Sequence, residues 1–127
     1  MTSSTSEVDK ARPDPRKVLT KATFNVARQL GLNQTELGAV LGMDRSSVSR
    51  LKTNAGLDPQ TKEGELALLL IRLGRALSSL TDADPAWINH FMRSANKVTN
   101  GVPAEQIKTI TGLTSVLRFV DAIRAKI

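Results

Sequence analysis

The chain contains no cysteine, a single histidine and only 3% aromatic residues. Without cysteine there can be no disulfide, no zinc–thiolate site and no thiol nucleophile. One histidine, His90, rules out a multi-histidine metal site. With Phe24, Trp87, Phe91 and Phe119 as the whole aromatic complement, packing falls to Leu, Ile, Val and Ala. That balance favours helices, since strands draw on aromatic and β-branched residues. No run approaches the roughly 18 apolar residues of a membrane span. The N-terminus is polar and lacks an apolar signal core, so a soluble cytoplasmic protein is expected, without a membrane partner. A nucleophile with a plausible base, a Gly-rich phosphate loop and a metal cluster are all missing as patterns. Asp82 and Asp84 are paired carboxylates, but a turn before Pro85 accounts for them. The expectation is a protein that is not an enzyme and needs no cofactor.

What the chain does have is positive charge. Its 127 residues carry 18 Lys or Arg against 12 Asp or Glu, a net +6. Residues 1–62 hold 10 basic against 6 acidic side chains, and residues 63–127 hold 8 against 6, so the excess leans towards the first half. A basic excess favours polyanions, nucleic acid among them. The length suits one domain or two small helical units.

Residues 1–14 are Thr, Ser, charge and Pro, and read as a disordered tail whose Lys10 and Arg12 could meet phosphates. Val18, Leu19, Ala22, Val26 and Leu30 recur at spacings of three and four, which predicts a helix from Pro15 to about Leu30, ended by Gly31. Residues 63–80 form the most apolar segment. There Leu66, Leu70, Leu73, Leu77 and Leu80 make an a/d seam, with Leu68, Leu69, Ile71 and Ala76 off it. A helix so apolar is buried on several sides, either as the central core helix or as one that joins subunits in a homodimer. Asp84 and Pro85 open a further helix carrying Trp87, Ile88 and Phe91. Asn100-Gly101 is a turn. Pro103 starts a helix to about Thr109, Gly112 breaks the pattern, and a last helix from about Leu113 to Ile127 presents Val116, Leu117, Val120 and Ile123. The fold class expected is all-α.

The strongest local signal lies between residues 33 and 52. Asn33 with Glu36 three residues later is a capping pair that starts a helix at Gln34. Leu37, Val40 and Leu41 face inward. Gly38 is small where a second helix must approach, and Gly42 supplies a turn needing positive φ. Met43 plugs the gap. Asp44 caps a second helix, Arg45 to about Lys52, with Val48 and Leu51 inward. Each requirement is steric and all hold at once, as in a helix-turn-helix. The second helix leaves Arg45, Ser46, Ser47, Ser49 and Arg50 outward. Short hydroxyl side chains let it sit deep in the major groove of double-stranded DNA, and Arg bonds guanine O6 and N7 together. Arg45, Ser46, Ser49 and Arg50 are the base-edge candidates. Gln34 at a helix start and Lys52 are phosphate candidates.

The segment LGLNQTELGAVLGMDRSSVSRL resembles the Xre-type helix-turn-helix of phage and plasmid repressors. From about Leu77 onward the chain resembles the toxin-binding domain of Xre/MbcA/ParS-type antitoxins. Ala86-Trp87, Met92-Arg93-Ser94, Asn96, Gly101, Pro103, Ile107-Lys108-Thr109, Gly112, Val116-Leu117 and Ile123 carry that likeness in order and spacing. It departs at Ala95, where the family has Pro, and Val98-Thr99-Asn100 is more polar than the family pattern.

The resemblance implies residues 1–14 as tail, 15–62 as the helix-turn-helix domain, 63–80 as the central or dimerisation helix and 81–127 as the toxin-binding domain. It further implies an antitoxin that neutralises a RES-domain toxin, an NAD-consuming enzyme, by covering its active site, and that represses its own operon at a palindromic operator. Trp87, Asn96, Gly101 and Pro103 are the implied toxin contacts, and Arg124 and Lys126 are added from their position as a basic end that could enter a pocket for NAD phosphates. Trp87 as a core anchor, Gly101, Pro103 and Gly112 as turn chemistry, and Arg124 and Lys126 as partners of the helix dipole are the structural alternatives. A stand-alone transcriptional repressor, and a helix-turn-helix kept only as scaffold, are the competing functions.

Overall fold

The computed structural model describes residues 12–126. Among them run α1 (Pro15–Gln29), α2 (Gln34–Leu41), α3 (Arg45–Arg50), α4 (Lys62–Thr81), α5 (Pro85–Arg93), α6 (Pro103–Gln106) and α7 (Ile110–Ala125). No strand is present among the described residues, so the all-α expectation holds. The tail assigned to residues 1–14 lies outside the described residues up to residue 11. Its last residue, Asp14, belongs to the fold, since its side chain accepts from the Arg16 N–H at 2.9 Å and caps α1.

Local chemistry sets each helix end. Pro15 takes the first position of α1, where a missing N–H costs nothing. At the other end Gly31 turns left-handed (φ 72°). The N–H of Gly31 then bonds the carbonyl of Arg28, and the N–H of Leu32 bonds that of Ala27, a Schellman closure. Thr61 caps α4, Asp84 caps α5 and Thr109 caps α7, each side chain accepting from a first-turn N–H.

The core is built around α4, which packs against α1, α2, α5 and α7. Leu70, Leu73 and Leu77 are fully buried, in one cluster with Leu30, Leu37, Ile88 and Val116. These three seam residues therefore face the chain's own core. Of the proposed dimerisation residues, Leu66 and Leu80 are also packed against that core, though partly exposed. The exposed leucine of α4 is Leu68, with Val18 of α1 also outside. Val18 thus departs from the inward stripe predicted for α1.

A second departure concerns Gly112. The helix expected to start after it starts before it, at Ile110, and α6 stops at Gln106. Gly112 donates to the Thr109 hydroxyl at 3.0 Å inside the first turn of α7. A Cβ there would stand 1.8 Å from the Gln106 carbonyl oxygen, so the glycine permits a close approach and breaks nothing.

Candidate functional site

The corner between α2 and α3 is fixed by hydrogen bonds at both helix starts. Asn33 Oδ1 accepts from the Glu36 N–H at 2.8 Å, and Glu36 Oε1 accepts from the Asn33 N–H at 3.0 Å. Gly42 ends α2 at φ 74°, and the Met43 N–H returns to the Gly38 carbonyl at 2.8 Å. A Cβ on Gly38 would lie 2.4 Å from the Met43 carbonyl oxygen and 3.3 Å from Val48, so only glycine lets the second helix come this near. Asp44 caps α3 by accepting from the Ser47 N–H at 2.7 Å. That bond holds the Asp44 carboxyl below its usual range.

On this frame α3 buries Val48 and, at its end, Leu51. Arg45, Ser46, Ser49 and Arg50 are exposed together, Ser47 is half-buried, and Arg50 reaches Ser47 Oγ at 3.3 Å. Among the described residues neither Arg45 nor Arg50 forms an ion pair. Gln34 opens α2 and is half-buried. Lys52 is exposed beyond the end of α3, with its ammonium 4.5 Å from the centre of the Phe24 ring.

The C-terminal candidates do not all come to the surface. Trp87 is 40% exposed and stacks on Phe91 at 5.6 Å, which stacks in turn on Phe119 at 6.2 Å. The outer ring of this ladder is the most exposed of the three, and beside it a hollow is lined by Leu80, Thr81, Asp84 and Ile123. Asn96 spends its side chain internally, accepting from the Val98 and Thr99 N–H groups at 2.8 and 3.2 Å. Gly101 pairs with Asn96 across the loop, and Asn100 holds the turn with φ 63°. Pro103 is buried, so it shapes the loop and is withheld from any partner that leaves the fold intact. Arg124 lies 3.8 Å from Asp121, which also binds Arg72 at 2.9 Å, while Lys126 is exposed. Of these two basic candidates, Arg124 is thus partly engaged within the chain.

One link between the two regions escaped the sequence. Arg93, at the end of α5, grips the capping carboxylate of Glu36 with both terminal nitrogens, at 2.6 and 2.8 Å, and also donates to the Gly31 carbonyl. This hydrogen bonding, with help from the Asn33 N–H, lowers the Glu36 carboxyl to about 2. The partners stand 57 residues apart, so no local pattern joins them. A glutamate already used in a capping box gives no hint of a second partner.

Against known proteins, two family descriptions match successive stretches of the chain. The antitoxin Xre-like helix-turn-helix domain matches residues 9–72. The antitoxin Xre/MbcA/ParS C-terminal toxin-binding domain matches residues 76–126. No curated protein matches the chain.

Proposed function

This chain belongs to the antitoxins that join an Xre-like helix-turn-helix to an Xre/MbcA/ParS toxin-binding domain, and on that premise we propose that it neutralises a RES-domain, NAD-consuming toxin and represses its own operon. The observation that carries the proposal is the pairing of two unlike surfaces on one core. One is a capped helix whose outward face is short hydroxyls and two arginines without ion pairs among the described residues. The other is an exposed tryptophan at the edge of an apolar hollow. The first suits base edges in the major groove, because arginine donates two parallel bonds to guanine. The second suits a protein, because partly exposed tryptophans anchor interfaces.

Six residues of helix read only a few base pairs. Operator reading therefore calls for two copies on half-sites roughly 34 Å apart. With Leu70, Leu73 and Leu77 buried inside each copy, the two meet through other residues.

Toxin inhibition places the end of α7 over the partner's active site, with Lys126 and Arg124 towards the NAD phosphates. Val120 is a fully buried core residue, so a truncation that tests this must begin after Ile123. Co-expression with the adjacent reading frame, followed by purification through this chain, is the deciding experiment. A stable complex and growth restored to cells carrying the partner support the antitoxin reading. No complex and no rescue leave a stand-alone repressor.

A further inference from the structure

Beside the end of α3 lies a groove of about 550 Å³ between α1 and residues 51–56, whose lining includes Lys17, Lys21, Phe24, Arg28, Lys52 and Asn54. No acidic side chain lines it among the described residues. Nor do its four cations form an ion pair among the described residues. The contrast with Arg16 is local, for that side chain belongs to the same helix and binds Asp58 at 2.9 Å.

Lys17, Lys21, Phe24 and Arg28 follow at spacings of four, three and four, which is one stripe of a helix. The stripe runs about 16 Å at 1.5 Å per residue. Like charges one turn apart weaken a helix, so Lys17 and Lys21 bring α1 nothing by themselves. At the α3 side, Phe24 holds the Lys52 ammonium at the groove. Asn54 uses its Oδ1 to accept from the Gly56 N–H at 2.8 Å, which leaves its amide N–H groups to a ligand.

We propose that this groove takes a sugar–phosphate backbone of the same duplex whose bases α3 reads. The inference rests on the DNA-reading role of α3 and extends the contact to α1. A compact anion needs donors that converge on a point. Here Lys17, Lys21 and Arg28 are strung along α1, with Lys52, two residues beyond Arg50, beside Phe24 in the middle of the row, and an extended polyanion fits that layout. Phosphate contacts of this kind position a protein without reading sequence.

The test uses the full chain with Lys17, Lys21 and Arg28 all changed to Gln. Binding is measured on a duplex covering the protein's own promoter and on an unrelated duplex of equal length, over a series of salt concentrations. All three side chains are exposed and without ion pairs among the described residues, so the melting temperature should stay near that of the wild type. The expected result is an equal loss of about tenfold or more on both duplexes, with the salt slope reduced by about 2–3, since each lost phosphate contact removes about 0.9. Arg50→Ala serves as contrast and should change the ratio between the duplexes. Wild-type affinity and slope in the triple variant overturn the proposal, as does an affinity loss with unchanged slope. If the wild type binds neither duplex, the DNA-reading role itself fails. If inorganic pyrophosphate raises the melting temperature of the wild type alone while DNA binding is equal in both proteins, the groove is a small-anion site and the proposal is wrong.

Discussion

The fold pairs more of the second half's cations than of the first half's, where Arg16 with Asp58 is the exception among the described residues. In and around the α2–α3 corner, Arg45, Arg50, Lys52, Lys17 and Lys21 stand without ion pairs among the described residues. In the C-terminal half, Arg72 and Arg124 share Asp121, Lys108 holds Glu105, and Arg93 reaches back to Glu36. A surface kept unpaired keeps its charge for an outside polyanion. A surface that pairs several of its cations within the chain and exposes part of Trp87 is better suited to a protein partner met partly through apolar contact. Net charge alone hides this, because it counts both kinds of cation alike.

The largest effect expected should abolish the comparison. Leu73 is fully buried on the helix that both regions share. Leu73→Ala should cost about 2–5 kcal/mol, lowering the melting temperature and weakening DNA and toxin binding together. Loss of only one function would show that the halves are stabilised separately. Next, Trp87→Ala and Arg50→Ala should separate the functions. Trp87→Ala should weaken the toxin complex by about 2 kcal/mol or more, roughly 30-fold, and leave DNA affinity alone. Arg50→Ala should do the reverse, by about 1–3 kcal/mol. Isothermal titration of both variants with both partners checks the cross.

The Glu36–Arg93 pair gives a smaller effect with a distinctive pH dependence. The folded carboxyl lies near 2, below its ordinary 4.5, because Arg93 holds the charged form. Its stabilisation is therefore fully present above about pH 4.5 and disappears as pH falls towards 2. Solvent screens the pair, so about 1–2 kcal/mol is the expected gap between wild type and Glu36→Gln at pH 7. Denaturant titrations should show the gap closing on acidification, and a constant gap would mean that the ion pair contributes nothing. Smallest is Arg124→Ala, expected to change stability by a few tenths of a kcal/mol. A toxin affinity equally unmoved would remove Arg124 from the interface.

How much of this was legible in the sequence depended on the range of the interaction responsible. The caps at Asn33, Asp44 and Asp84 and the left-handed turn at Gly42 act within four residues and could be read directly. Gly112 was misread because low helix propensity looks like a break, whereas the deciding contact is the approach of the Gln106 carbonyl. The leucine repeat of α4 was visible, but its partner was not. Period tells which residues share a face, and only tertiary packing tells that α1 and α7 already cover it. The α1 stripe is itself visible in the sequence as cations at helical spacing with no acidic residue in the first turn.

The sharing of α4 also bears on how the protein is lost. Its buried residues serve α1 on one side and α7 on the other, within one continuous core. Neither half keeps a complete interior once the other is gone. A chain of this kind unfolds in a single cooperative transition. Under the proposed function, a protease that captures the opened chain would thus end toxin binding and DNA binding in one event.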